Sequence, residues 1–182
     1  MEIPFATSNI KKVIEGNNVG RLYGINFKRI KVNYPEIRDS DVGRVAIEGA
    51  KYVFKRIGRN VIVEDTGLFI DALNGFPGSY SAFVFNKIGN RGILKLMKGI
   101  RNRNAEFISA IGYCDKDCVR VFKGRIKGTI TYKERGDYGF GYDPIFKPVG
   151  SELTFAEDPE MKNRVSHRRN AFENFCRWIV KL

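Results

Sequence analysis

Apolar positions recur along the chain with two different periods. In 40–58, SDVGRVAIEGAKYVFKRIG, the residues Val42, Val45, Ala46, Gly49, Ala50, Val53, Phe54 and Ile57 return every three or four positions. That spacing makes one stripe on a helix, with Ser40 placed to cap its start and Gly58 its end. Residues 27–34 (FKRIKVNY) alternate instead, putting Ile30, Val32 and Tyr34 on one face of a half-buried strand. The run NVIV that follows the helix is continuously apolar, the pattern of a strand buried on both faces. It is expected to end at Glu64 and Asp65, with Thr66-Gly67 as a turn, and LNGFPGSY at 73–80 then reads as a fixed turn. A short strand at 2–6 leads into the loop TSN and a helix from near Ile10. RGILKLMKGI reads as another helix, and three β-rich stretches follow at 105–113, 118–123 and 125–132. The last element, roughly 166–181, is helical, with Ala171, Phe172, Phe175, Cys176 and Ile179 inward. Helices and strands interleave throughout, which predicts an α/β protein with a mixed twisted sheet flanked by helices.

Length and composition narrow the setting. A chain of 182 residues without repeats or a linker is read as one domain, 1–182. No apolar run approaches the ~18–20 residues that cross a bilayer, and MEIPFATSN has no signal-peptide pattern. No membrane association is expected, and the cytoplasm is the expected compartment. Three cysteines, Cys114, Cys118 and Cys176, are too few for a disulfide framework and read as packing residues. The formal net charge of +12 favours anionic partners, but the cations are scattered, densest in RIGR, KGIRNR and SHRR. A charged surface explains them as well as a nucleic-acid footprint does.

Four stretches have the composition of a reactive site. In FATSNIKK a strand runs through small polar residues into a helix, whose open amides and Lys12 favour an anion. The alternative there is an ordinary cap by Ser8 or Asn9. Glu64 and Asp65 stand where open α/β sheets place their ligand crevice. Two adjacent carboxylates repel, and Mg²⁺ would relieve that repulsion and bridge to phosphates; Glu36 in YPEI is placed to join them. Read alone, the pair is equally a solvated turn. In YGFGYDPIF, Phe140 lies between glycines, open for a base to stack or packed at a bend, and Asp143 reads as a turn residue within hydrogen-bond reach of a base. In MKNRVSHRRNAF, the sole histidine, His167, joins Lys162 and Arg168 as donors at a helix entrance.

Taken in this order, TSNIKK at 7–12, EDTG at 64–67 with NGFPGSY at 74–80, GFGYDPIF at 139–146 and SHR at 166–168 resemble the inosine triphosphate pyrophosphatase family. These are the non-canonical purine NTP (dITP/XTP) pyrophosphatases, and the archaeal branch is the most similar. The resemblance covers almost the whole chain. It implies two lobes with a nucleotide cleft between them, a homodimer, Mg²⁺ dependence and cleavage of ITP, dITP or XTP to the monophosphate and pyrophosphate. It assigns the triphosphate to Thr7, Ser8, Asn9, Ile10, Lys11 and Lys12. It assigns metal to Glu36 and Asp65, with Asp65 also the proton acceptor, and substrate contact to Thr66. Phe140, Gly141, Tyr142, Asp143, Lys162, His167 and Arg168 complete the nucleotide site.

The chemistry is compatible with these roles. Water attacking the α-phosphorus needs a base, and the leaving pyrophosphate needs cations such as Lys12 and Lys162. A donor from Arg168 or nearby main chain would reward the 6-oxo group of hypoxanthine or xanthine and meet adenine's amine unfavourably. Two departures stand out: Ala82 and Phe83 replace a basic residue common after YS, and Met161 replaces an acid. A Maf-like nucleotide pyrophosphatase is the nearest rival, opposed by the GFGYDP and SHR signatures. A nucleic-acid-binding module is the rival from another class. No basic patch with interleaved aromatics is visible in the sequence, so nucleic acid is not expected as a partner.

Overall fold

Strand pairing organises the computed structural model, which describes residues 1–35 and 37–181. Among the described residues the strands are β1 (Glu2–Ala6), β2 (Asn26–Ile30), β3 (Val61–Ile70), β4 (Pro77–Gly78), β5 (Asn104–Cys114), β6 (Val119–Ile130) and β7 (Phe146–Pro148). The helices are α1 (Ile10–Gly20), α2 (Val42–Ile57), α3 (Ser81–Leu96), α4 (Pro159–Val165) and α5 (His167–Ile179). The sheet order is β2-β1-β3-β5-β6-β7, with β4 paired to β3. β1 runs parallel to β2 and β3, whereas β4 on β3 and β7 on β6 are antiparallel, so the sheet is mixed as expected. No helix among the described residues is long and apolar enough to cross a membrane.

Contacts divide the chain into two units. The first holds Met1–Asp65, Ser109–Gly124 and His167–Leu182; the second holds Thr66–Ile108 and Arg125–Ser166. The division falls inside β3, between Asp65 and Thr66.

In the first unit, α1 and α5 pack together over β1 and β2. The ring of Phe172 meets Phe5 and Phe27 edge-on, and Gly16 gives it room, since a Cβ there would stand 2.6 Å from the ring. The α2 stripe forms as predicted and places Ala50 and Val53 against Val61, Val63 and Cys114. Its cap is Asp41, not Ser40: the Asp41 carboxylate accepts from Gly43 N at 2.7 Å and also takes Lys123 Nζ at 2.7 Å. Gly58 ends the helix in the left-handed region, as its position suggested. The strand expected over 27–34 stops at Ile30; Val32 and Tyr34 continue beyond it as partly buried packing.

Gly124 has a specific packing duty at the end of this unit. A Cβ there would collide with the main chain of His167 and Ala171, so glycine lets α5 lie against β6. Because backbone blocks it, Gly124→Ala must displace the start of α5, at about 1–3 kcal/mol. The expected readout is a melting midpoint lowered by about 2–12 °C. An unchanged midpoint would show that α5 shifts at no cost.

The second unit has its own core around Leu68, Ile93, Phe107, Phe146 and Phe155. Here β3 departs from expectation. It does not end at the two acids but runs on to Ile70, and Thr66-Gly67 is strand rather than turn. Gly67 is small because β4 crosses it: a Cβ would stand 2.6 Å from the Gly78 carbonyl. The real turn is at 74–78, where Asn74, Gly75 and Gly78 all have positive φ. Helix α3 starts at Ser81, ten residues before the predicted helix, and kinks at Gly89. The stretches predicted at 118–123 and 125–132 are one strand, β6.

Candidate active site

Strand β1 delivers the chain into Thr7 and Ser8, and α1 begins two residues later. Asn9 caps it, its side chain accepting from Lys11 N at 2.9 Å, while Thr7 Oγ1 accepts from Asn9 N at 3.1 Å. Ser8, Ile10 and Lys11 are exposed at this helix entrance, and Thr7, Asn9 and Lys12 are half-buried. Polar hydroxyls, the positive end of an 11-residue helix and two lysines thus share one short segment.

Lys12 reaches from α1 to β3. Its Nζ lies 2.7 Å from Glu64 Oε2 and donates to the Glu64 main-chain oxygen at 3.1 Å. On the other carboxylate oxygen, Glu64 takes Ser109 Oγ at 2.6 Å and Arg168 Nε at 3.1 Å. Arg168 Nη1 in turn pairs with Glu15 of α1 at 2.5 Å. Glu64 is fully buried, so burial pushes its carboxyl up. The charges of Arg168 and Lys12, with hydrogen bonds from Lys12 and Ser109, outweigh that and hold it far below the usual carboxylate range. Two acids, two cations and the Ser109 hydroxyl thereby tie α1, β3, β5 and α5 together.

This network revises the reading of the acidic pair. On a strand, neighbouring side chains point to opposite faces, so Glu64 and Asp65 are directed to opposite faces of β3. Their mutual repulsion is not the organising force: Glu64 is neutralised by Lys12 and Arg168, and Asp65, half-buried, stands on the other face. Glu36, the second metal ligand by resemblance, lies outside the described residues. His167 is buried at the start of α5, next to Arg168. The Arg168 guanidinium spends Nε and Nη1 on carboxylates, so it is first an anchor for this unit.

In the second unit, taken by itself, Thr66 is half-buried on β3 and the 139–143 segment forms a loop. Gly139 and Gly141, with φ of 80° and 62°, flank Phe140 and turn the chain sharply on either side of its ring. Asp143 is more than a turn residue. It is buried, and its Oδ2 accepts from Phe140 N and from Lys162 Nζ, each at 2.8 Å. Lys162 is itself buried, with its ammonium 4.5 Å from the centre of the Phe140 ring. One carboxylate therefore fixes both the loop and the lysine. Tyr142 points into the core, edge-on to Phe85, and donates to the Ser81 carbonyl at 3.1 Å. Asn90 Nδ2 donates to the Gly141 carbonyl at 3.2 Å and steadies the turn.

Sequence reasoning passed over Glu15, Ser109 and Asn90. Ser109 left a signal, a lone hydroxyl within the apolar run FISAIG. Glu15 lies three residues after Lys12, nearly one helical turn. Asn90 offered none, because its partner lies 51 residues away.

The Ham1 family model matches residues 3–178. A dITP/XTP pyrophosphatase of Methanopyrus kandleri is 51% identical over 180 residues, covering 98% of this chain and 96% of that protein. One from Thermococcus kodakarensis is 45% identical, covering 98% and 97%. Among solved structures, a HAM1 protein from Coxiella burnetii aligns over the full length of both chains with a TM-score of 0.89 at 28% identity. A nucleoside-triphosphatase / dITP/XTP pyrophosphatase from Mycobacterium abscessus gives a TM-score of 0.75 at 33% identity, covering 94% and 95% of the two chains. With a family model spanning nearly its whole length and relatives this similar, the chain belongs to the Ham1 family.

Proposed function

We propose that this chain hydrolyses the non-canonical purine triphosphates dITP, XTP and ITP to the monophosphate and pyrophosphate, removing them from the nucleotide pool. The observation that carries the reading is the buried network that fixes the α1 entrance to the strand bearing Asp65. It supports the reading because Lys12, in the proposed anion-binding segment, is tied to Glu64, the residue beside Asp65. The relatives' dITP/XTP pyrophosphatase activity supplies the substrate class.

In this reading Thr7 to Lys12 bind the triphosphate through hydroxyls, main-chain N–H groups and the two lysines. Asp65 takes the proton from the attacking water. Thr66 touches substrate, and Phe140 offers its ring to the base. Lys162, held by Asp143, neutralises charge on the nucleotide. Because Arg168 is anchored by two acids, the 6-oxo group is read by main-chain N–H groups at the start of α5, which that anchor holds in place. The 139–143 main chain and His167 keep the nucleotide-contacting roles that the resemblance gives them.

The donor set fits Mg²⁺. This ion is commonly held by one or two carboxylates together with substrate phosphates, and Asp65 offers one, with Glu36 the second by resemblance. Among the described residues no group of three His, Cys, Asp or Glu side chains is arranged to hold a metal ion. When bound, Mg²⁺ lowers the pKa of water and clamps the phosphate oxygens. A homodimer is part of the proposal: Phe76, Tyr80, Phe83 and Ile88 leave large apolar surfaces exposed within 76–88. The cytoplasm is the proposed compartment.

The test is a panel of nucleoside triphosphates with Mg²⁺, scored for products. Monophosphate and pyrophosphate from ITP, dITP and XTP, with little from ATP, is the expected result. Diphosphate plus phosphate would refute the cleavage position, and no turnover of any triphosphate would refute the activity.

A further inference from the structure

One of the basic clusters, KGIRNR at 98–103, takes no part in the site described above. In the second unit it borders a hollow of about 630 Å³ at the start of β5 and the end of β6. Five cations line it, Arg101, Arg103, Lys133, Arg135 and Lys147, and among the described residues no carboxylate does. Arg135 and Lys147 are paired with Glu157 and Glu152. Arg101 and Lys133 are exposed, and among the described residues neither makes an ion pair.

Arg103 is the built part of the hollow. It is only 8% exposed, and its guanidinium donates to the carbonyls of Ile130, Met97 and Thr131. These acceptors orient the group without cancelling its charge, and among the described residues no carboxylate pairs with it. A buried cation held by neutral acceptors keeps a positive potential that an anion would satisfy. The guanidinium also lies 4.6 Å from the centre of the Tyr132 ring. Tyr132 is 80% exposed, so one face of the ring carries a cation and the rest is open to solvent. A phosphate-binding rim beside an open aromatic ring is the pairing used for nucleotide units in single strands.

We propose that this hollow is a second nucleotide-binding site, in which Arg101, Arg103 and Lys133 hold phosphate and Tyr132 stacks the base. It shares no residue with the proposed catalytic set. Two sources carry this chemistry: a free nucleotide and a single strand of nucleic acid. The proposal does not rest on the hydrolase reading.

The test compares the whole protein with an Arg101→Glu/Lys133→Glu variant and with Tyr132→Ala. One arm measures calorimetric binding of α,β-methylene-ITP, which cannot be cleaved between those phosphates. The other measures anisotropy of a fluorescein-labelled thymidine 15-mer at two salt concentrations. For a free nucleotide, the number bound per chain falls by one in the charge-reversed variant. For a strand, 15-mer affinity falls at least tenfold in that variant and about fivefold or more in Tyr132→Ala, and it weakens steeply with salt in the wild type. Either result supports the site and names its source. Melting midpoint and triphosphate turnover serve as controls and are expected to stay at wild-type values. If neither probe separates the charge-reversed variant from the wild type by more than about threefold, the proposal is overturned.

Discussion

Asp65→Asn is expected to lower turnover of ITP by roughly 10³-fold or more while leaving the melting midpoint within a few degrees. The size follows from what the amide loses. A positioned general base is worth about 10²–10⁴-fold, and asparagine cannot accept the proton of an attacking water. It also loses the charge that would attract Mg²⁺, so a second loss is added to the first. The small thermal effect follows from shape and place: Asn matches Asp in outline, and Asp65 is only half-buried. A Mg²⁺ titration separates the two contributions. If lost metal affinity dominates, activity recovers partly at high Mg²⁺; if the base dominates, it does not. Turnover within tenfold of wild type at saturating Mg²⁺ would remove Asp65 from the centre of the mechanism.

How far the sequence could be read depended on whether a residue's cause lay in its own neighbourhood. Helix α2 was legible because its stripe and its left-handed Gly58 are local facts. Its first residue was not, since Ser40 and Asp41 are both competent caps and Lys123, from a distant strand, selects Asp41. The expected turn at Thr66-Gly67 failed for a related reason. Glycine has two uses, bending a chain and admitting another backbone, and only the crossing of β4 reveals that Gly67 serves the second. Residues 81–90 were not read as helix because SAFVFNKI carries aromatic and β-branched side chains, and Gly89 breaks the run. Tertiary packing overrides such weak propensity, here through Phe85 on Tyr142 and the Tyr142 hydroxyl on the Ser81 carbonyl.

The candidate site divides in the same way. Its members were legible as residue types: lysines at a helix entrance, an acid on a buried strand, an aromatic between glycines. Their partners were not. Lys162 and Arg168 both read as donors for substrate at a helix entrance, yet Lys162 is buried on Asp143 and Arg168 anchors two acids. Both depend on charges 19 to 153 residues away, which local spacing does not encode.

Glu64 is where that hidden pairing has its largest consequence. Glu64→Gln keeps the shape and removes the charge that Lys12 and Arg168 share. Removing one partner of a buried ion pair costs about 3–5 kcal/mol, because the other charge stays buried without compensation. For a chain of this size that corresponds to a melting midpoint lowered by about 6–20 °C. Glu15 still holds Arg168 and the Glu64 main-chain oxygen still holds Lys12, which favours the lower part of that range. Activity should fall as well, through Lys12: a loosened ammonium binds triphosphate less well, so KM rises more than kcat falls. The Mg²⁺ dependence should stay at its wild-type midpoint, because Glu64 faces away from Asp65. That contrast separates the two neighbours, since Asp65→Asn shifts the metal response with little thermal cost and Glu64→Gln does the reverse. A double-mutant cycle with Lys12→Met adds the decisive measurement. Residues sharing one network couple by about 0.5–3 kcal/mol, so the two losses should fall short of their sum. Additive losses, or a Glu64→Gln protein that melts at the wild-type temperature and needs more Mg²⁺, would return Glu64 to the metal site.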